Sequence, residues 1–222
     1  LPIFQGASRF PVRKDTTLKS LLQYVEIEPA IADTSAIYIR RQSVAAQQKA
    51  IIADSLRRLE QSALTSTSSS VDEANIRVRE AELIQDFVRR AATLEPDGVV
   101  VVSRGGTVKD LEDNDVIVIP QKTDVVHVSG EVLIPKAITY EKGMSLHEYL
   151  ESAGGLSDRA DKDNILVAKQ NGEVGKVQNM GIAPGDRILV MPRFDSKNMQ
   201  LAKDFTQILY QIAVATKVAV GL

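Results

Sequence analysis

The sequence has no cysteine and no tryptophan, and aromatic residues make up only 5% of it. Without cysteine the chain has no disulfide bond, no thiolate zinc site and no cysteine nucleophile. Histidine is scarce as well, because His127 and His147 are its only two copies, and their spacing does not match a metal-binding motif. We therefore expect no metal site.

Long apolar runs and an excess of positive charge are also missing. No stretch reaches the roughly 18 uninterrupted apolar residues of a lone membrane helix. The chain carries 27 basic and 29 acidic residues, and its formal charge of −2 disfavours a nucleic-acid-binding role. We find no nucleophile paired with a base and no glycine-rich phosphate loop. The pattern favours a binding and assembly protein over an enzyme, with no catalytic residues and no cofactor.

The remaining composition is that of an ordinary globular protein, with 44% apolar and 25% charged residues. A length of 222 residues suits one large or two small domains. The chain begins at Leu1 without the pattern of a secretion signal. We interpret it as a fragment whose signal peptide or lipid anchor would lie upstream.

Two short amphipathic helices are predicted in equivalent surroundings. One begins after Thr17 and places leucines on one face with helical spacing. The other begins after Ser145 and ends at Gly154 and Gly155, since glycine readily adopts the left-handed conformation that closes helices. This likeness is the first sign of an internal repeat.

Two pairs of similar strands follow these helices. Residues 99–106 resemble 165–172, because each is a buried strand that runs into a glycine turn. Residues 114–120 resemble 185–192, because each is an acidic turn followed by a β-branched strand that proline ends. We infer a duplication.

The second copy adds a leading pair of strands, so it reads strand, strand, helix, strand, strand, strand. The predicted fold class is α+β, with two small mixed modules, a helical insertion and a terminal helix. The predicted boundaries are 1–43 plus 96–121 for the first module, 44–95 for the insertion, 124–193 for the second module and 196–222 for the helix.

The insertion has the pattern of an antiparallel helical hairpin. Apolar residues recur at spacings of three and four in both halves, which predicts a seam between two helices. A serine-rich linker, 65–70, separates the halves, and Ser70 with Glu73 forms a capping-box sequence. The seam residues are Ile52, Leu56, Leu59 and Ala63, then Ala74, Val78, Ala81, Ile84 and Val88.

The last predicted helix, 196–222, is strongly two-sided. Its polar stripe consists of Gln200, Lys203, Asp204, Gln207 and Gln211. Its apolar side carries Leu201, Phe205, Ile208, Leu209 and Ile212. The helix is too polar to span a membrane alone and too apolar for a solvated tail, which leaves helix-helix assembly or a membrane-associated ring of helices.

Two charged loops are candidate ligand-binding sites. Arg40 and Arg41 follow a short strand, while Asp158 and Arg159 lie in a loop after Gly155. Such loops suit hydrogen bonds to sugar hydroxyls or to a neighbouring subunit. A third feature, Asp186, is expected to order its own turn by accepting hydrogen bonds from nearby amides.

Segments of the second module resemble a soluble-ligand-binding β-grasp (SLBB) domain. The resemblance rests on VSGEV at 128–132, on 146–155 with its closing glycines, on 165–169, and on IAPGDRILV at 182–190. A more divergent first copy matches at 17–25 and 98–120. With the terminal helix, this arrangement resembles outer-membrane polysaccharide export proteins of the Wza-like and capsule-export group.

The resemblance implies a non-enzymatic component of a capsular or exopolysaccharide export channel in the periplasm and outer membrane of a Gram-negative bacterium. It implies stacked periplasmic rings of β-grasp domains and a terminal helix that joins its copies into an outer-membrane barrel, whose polar stripe would line the pore. The implied partners are polysaccharide, further copies of the chain, an inner-membrane polysaccharide co-polymerase or export component, and the outer membrane.

Two features depart from that family pattern. The helical insertion is not part of a minimal β-grasp domain, and the amino-terminal signature domain and lipid-anchored cysteine do not occur in this sequence. A soluble glycan-binding module without a pore, and an envelope scaffold that docks partners through the hairpin, therefore remain as alternatives.

Overall fold

The computed structural model describes residues 9–13, 15–65, 71–102, 111–194 and 199–216. These residues form a mixed α and β structure with two sheets. The helices are α1 (Leu18–Leu22), α2 (Gln42–Thr65), α3 (Val71–Ala91), α4 (Leu146–Ser152), α5 (Val177–Met180) and α6 (Met199–Thr216). The strands are β1 (Tyr38–Arg40), β2 (Val99–Val101), β3 (Val116–Val118), β4 (Val125–Gly130), β5 (Lys136–Thr139), β6 (Ala160–Ala168), β7 (Val174–Lys176) and β8 (Arg187–Pro192).

The second sheet contains the five strands β5, β4, β8, β6 and β7, in that spatial order. β4 and β8 run parallel, and the other neighbours run antiparallel. Alternate strand residues such as Val126, Val128 and Ile188 pack with Tyr149 and Leu150 of α4 in a buried cluster. The predicted sequence of strands and helix in the second module is therefore present, with α5 as a short addition.

The first sheet is smaller, and its described residues form three antiparallel strands in the order β2, β1, β3. Leu18 of α1 packs on Ile37 and Ile39 in its small core. A β-grasp domain in the first region is thus not confirmed, because that region has no described counterparts of β4 and β5.

The three strands correspond to β6, β7 and β8, but not in the way that the sequence pattern predicted. β1 is the central strand that pairs with both β2 and β3, as β6 pairs with both β7 and β8. By position β1 is therefore equivalent to β6, and β2 to β7. The match of 99–106 with 165–172 is wrong by one strand, because a local pattern indicates the short strand before Arg41 but not its partners in the sheet.

This equivalence explains where the helical hairpin lies. In the second sheet a tight turn joins β6 to β7, and the Lys169 N–H donates to the Glu173 carbonyl across it at 2.8 Å. In the first sheet the Arg41 N–H donates to the Gly98 carbonyl at 2.9 Å, and α2 and α3 lie between these two residues. The hairpin thus occupies the place of a turn, and its ends meet at the sheet.

Helix α6 packs against the chain's own hairpin and second sheet. One buried cluster includes Leu56 of α2, Phe87 of α3, Leu166 of β6, and Phe205 and Leu209 of α6. The apolar side of α6 therefore contacts protein within this chain. Residues 217–222 of the predicted helix, and Ser70 of the predicted capping box, lie outside the described residues.

Both predicted helix starts have side-chain caps. The Ser20 N–H donates to Thr17 Oγ1 at 3.1 Å, and the Glu148 N–H donates to Ser145 Oγ at 3.3 Å. Glu148 also accepts the Ser145 N–H at 2.7 Å, which completes a capping box and holds the pKa of Glu148 below its ordinary value. Helices α1 and α4 therefore begin where the sequence predicted.

Replacing Ser145 by alanine should lower the free energy of unfolding by about 1 kcal/mol, because it removes the cap of α4. Urea unfolding followed by circular dichroism measures this change. Lys142→Ala is a matched control on the exposed loop before the helix, and we expect it to stay within about 0.5 kcal/mol of the parent chain. Equal losses in the two variants would contradict a capping role.

Candidate functional site

The first pair of candidate residues, Arg40 and Arg41, is engaged in ion pairs. The Arg40 guanidinium lies 2.8 Å from Asp97. Arg41 binds Asp115 through two hydrogen bonds, Nε to Oδ1 at 2.9 Å and Nη2 to Oδ2 at 2.7 Å. Glu112 adds a third contact to Arg41 at 3.2 Å. Since the Arg41 side chain is only 15% exposed, this two-pronged pair orders the turn before β3.

The second sheet repeats this arrangement with other residues. Asp186, before β8, accepts the Ala183 N–H at 2.7 Å and the Lys169 ammonium at 2.6 Å. Asp115 likewise accepts the Glu112 N–H, three residues before it, at 2.9 Å. The prediction that Asp186 orders its turn through nearby amides is confirmed.

The repetition assigns a structural role to the cation in each sheet. Arg41 directly follows β1, and Lys169 directly follows the equivalent strand β6. Burial raises the pKa of Asp186 above its ordinary value, while the hydrogen bonds from Lys169 and from the Ala183 amide act in the opposite direction. Each sheet has an acid before its last strand and a cation after β1 or its equivalent β6, and this pattern becomes recognisable only once β1 is matched to β6.

The second pair of candidates, Asp158 and Arg159, lies between α4 and β6. Arg159 is 3.9 Å from Glu131, a long ion pair, and Glu131 also accepts the Ser157 hydroxyl at 2.6 Å. The Arg159 carbonyl accepts the Arg193 N–H at 2.7 Å, which joins this loop to the end of β8. The candidate pair Arg40 and Arg41 thus lies beside the first sheet, and the pair Asp158 and Arg159 lies beside the second. Their ion-pair partners differ, so the structure does not join them in one site.

Asp158 lines a surface cleft of about 450 Å³ beside α4, which we call the α4 cleft. Its polar lining comes from His147, Glu151, Ser157, Asp158, Lys162 and Arg193. The lining includes basic side chains, acidic side chains and a hydroxyl, so the cleft offers both hydrogen-bond donors and acceptors. Such a lining suits an uncharged ligand that is rich in hydroxyl groups.

Sequence reasoning missed several residues of the α4 cleft. Arg193, whose neighbour along the chain ends β8, reaches the cleft only because the sheet brings it next to the loop after α4. No local pattern could have indicated this contact. His147 is an exposed polar residue that carries no motif of its own.

The polar stripe of α6 lies opposite its buried side. Gln200, Lys203 and Gln207 are exposed, and the Gln200 amide donates to Asp204 at 2.7 Å. Gln211 is half-buried, and its Oε1 atom has no hydrogen-bond partner among the described residues. Three of the five stripe residues are therefore exposed while the helix is packed.

Among the described helices, none combines the length and the apolar character that a membrane-crossing segment requires.

Residues 125–181 match the family model described as SLBB domain. Two curated proteins of Escherichia coli, both named Polysialic acid transport protein KpsD, are 38% identical to the chain over 209 residues. The aligned region covers 93% of this chain and 37% of each relative. The chain therefore spans little more than a third of the length of these curated relatives.

Proposed function

Since the chain belongs to the polysaccharide export family with SLBB domains, a family of transport proteins and not of enzymes, we propose that it is part of a capsular polysaccharide export channel. In this proposal it acts in the periplasm, in association with the outer membrane. Copies of the chain assemble into a ring around a conduit for polysaccharide. The energy for transport comes from an inner-membrane export component.

The observation that carries the proposal is the two-sided placement of α6. Its apolar side is buried within the chain, and Gln200, Lys203 and Gln207 of its polar stripe are exposed. Amide side chains both donate and accept hydrogen bonds, so they exchange readily with water and with sugar hydroxyls. A ring that turns these stripes inward has a wet wall, along which a glycan moves without a strong binding step.

This proposal differs from a barrel of membrane-crossing helices in what α6 must do. A lipid-facing α6 would have to withdraw Leu201, Phe205 and Ile212 from the core, and each of these is at most 1% exposed. Burying such a side chain is worth about 1.5–3 kcal/mol. We therefore propose that α6 lines the conduit while it stays packed on its own chain.

The α4 cleft supplies a second point of contact with the glycan in this proposal. Its lining of donors and acceptors, Asp158 included, suits sugar hydroxyls. Arg159 and Arg40 lie in ion pairs with Glu131 and Asp97, and they hold the loops in place. Arg41 is assigned to the turn before β3 and not to the ligand.

The mass of the purified chain in solution, measured by light scattering in buffer and in mild detergent, tests the ring directly. We expect an assembly of several copies. Because the chain has no cysteine, Gln207→Cys gives one reactive thiol on the stripe, and Lys142→Cys gives a matched thiol away from it. In a ring with inward stripes, a short bifunctional maleimide should link copies through position 207 far more than through position 142.

A chain that stays monomeric in every condition would contradict the ring. The soluble glycan-binding module and the envelope scaffold would then be preferred. If the chain assembles but cross-links equally through positions 207 and 142, the ring would still be supported. The proposal that α6 forms its inner wall would then be rejected.

A further inference from the structure

The face of the first sheet that lies opposite α1 is largely apolar. Ile39 of β1 lies in the small core with α1, so its neighbours Tyr38 and Arg40 lie on the other face of the sheet, because successive strand residues alternate between faces. The strand register places four valines beside these two residues. We call them the valine face, and they are Val99, Val101, Val116 and Val118.

The same face of the second sheet is covered by a helix. Leu166 and Leu189 occupy the equivalent positions of β6 and β8, and both are buried in the cluster that includes α6. In the first sheet, Val101 is 41% exposed and Val116 is 53% exposed. One exposed valine is ordinary, but two on a sheet face whose counterpart is buried indicate a docking surface.

The loop between β4 and β5 carries a second exposed apolar surface. Leu133 and Ile134 are 65% and 58% exposed, and we call them the aliphatic knob. Their N–H groups donate to the carbonyls of Gly155 and Ala153 at 3.1 and 2.9 Å, which anchors the loop to the end of α4. Since this backbone is already ordered, a contact through the knob loses little further conformational entropy.

Each of these two apolar surfaces has a charged neighbour, and the two charges are opposite. Asp113 precedes Val116 by three residues, and Lys136 follows Ile134 by two residues. Asp113 and Lys136 are both exposed, and neither side chain has an ion-pair partner within the described part of the chain. The valine face and the aliphatic knob are therefore complementary in both apolar character and charge.

We propose that the aliphatic knob of one copy docks on the valine face of the next copy, with Lys136 of the first copy beside Asp113 of the second. The two surfaces belong to different parts of one chain, so the contact is head-to-tail and repeats from copy to copy. Contacts of this kind close into rings. The proposal rests on the proposed function and identifies the interface that holds its ring together.

Cross-linking of cysteine variants tests which surfaces meet, because the parent chain has no cysteine. Ile134→Cys is mixed with a size-tagged Val116→Cys and treated with a short bifunctional maleimide. We expect a mixed cross-linked product, and almost none from either variant alone, because a head-to-tail contact brings unlike positions together. Lys142→Cys mixed with Val116→Cys is the matched control and should give no excess over the single variants.

Charge reversal tests the ion pair between copies. Lys136→Asp and Asp113→Lys should each weaken assembly by about tenfold, because like charges then face each other. The two changes combined in one chain should restore the assembly of the parent. Light scattering over a concentration series measures these effects, and Lys142→Asp is the control. All three positions are exposed, so the variants are expected to fold.

Four results would overturn the proposal. These are absence of the mixed product, a double reversal that assembles as weakly as the single ones, an equal loss in Lys142→Asp, and a knob that binds lipid instead. The last would appear as binding to phosphatidylethanolamine–phosphatidylglycerol vesicles that Ile134→Asp abolishes while assembly is unchanged.

The mass of the parent chain separates this proposal from that of the ring. If the parent assembles but gives no mixed product, the ring is retained and this interface is rejected. If the parent is monomeric by light scattering but the mixed product forms in concentrated solution, the head-to-tail contact is supported and the ring is rejected.

Discussion

Replacing Phe205 by alanine is expected to lower the free energy of unfolding by about 3–5 kcal/mol, as for other fully buried phenylalanines. Phe205 is 1% exposed, and its ring lies 4.6 Å from the Phe87 ring and 4.4 Å from the Phe194 ring, measured between centroids. The truncation would leave a cavity where α6 meets α3 and the end of β8. Denaturant unfolding measures the loss.

The Phe205→Ala variant also tests whether the hairpin and the second sheet unfold together. Because one cluster joins the hairpin to the second sheet, hydrogen exchange in α2 and in β6 should increase together in Phe205→Ala. Gln207→Ala, on the exposed side of the same helix, should change the free energy of unfolding by less than about 0.5 kcal/mol. Similar losses in the two variants would show that α6 does not pack as described.

The second large effect is expected at Asp186. Asp186→Ala should cost about 3 kcal/mol, because it leaves the Lys169 ammonium without its buried partner and the Ala183 N–H without its acceptor. The carboxylate is almost completely buried, so water cannot replace it in the folded protein. Urea unfolding of the variant gives the value.

A double variant separates the charge from the packing. Lys169→Met combined with Asp186→Leu removes both charges, and we expect it to be less destabilised than Asp186→Ala alone. Asp158→Ala, an exposed aspartate in the same domain, is the control and should change stability by less than about 0.5 kcal/mol. A loss below about 1 kcal/mol in Asp186→Ala would refute the importance of the pair.

Local patterns predicted those parts of the fold that local interactions determine. The hydroxyls of Thr17 and Ser145 accept hydrogen bonds from amides three residues further on. The starts of α1 and α4 could therefore be predicted from the local sequence. The order of elements in the second sheet also followed from apolar runs and glycine turns. The short strand before Arg41 was predicted, but its pairing with β2 and β3 could not be, because the partners lie far along the chain.

Contacts between residues far apart in sequence also determine what α6 packs against and which residues line the candidate sites. A sequence pattern could not predict either. Amphipathic spacing shows that Phe205 and Leu209 face something apolar, but it does not distinguish lipid, a second copy or the same chain. Arg41 and Arg159 were identified as binding residues from their charge alone, while their acidic partners Asp115 and Glu131 are distant in sequence.

The packing of α6 against the hairpin has a consequence for the order in which the chain acquires its structure. Helices α2 and α3 are synthesised before α6, yet part of their inner surface is covered by Leu201, Phe205 and Leu209 of that helix. Until α6 emerges, a nascent or partly translocated chain therefore exposes apolar surface on its hairpin. Because this contact joins residues that are far apart in sequence, we expect it to form late in folding.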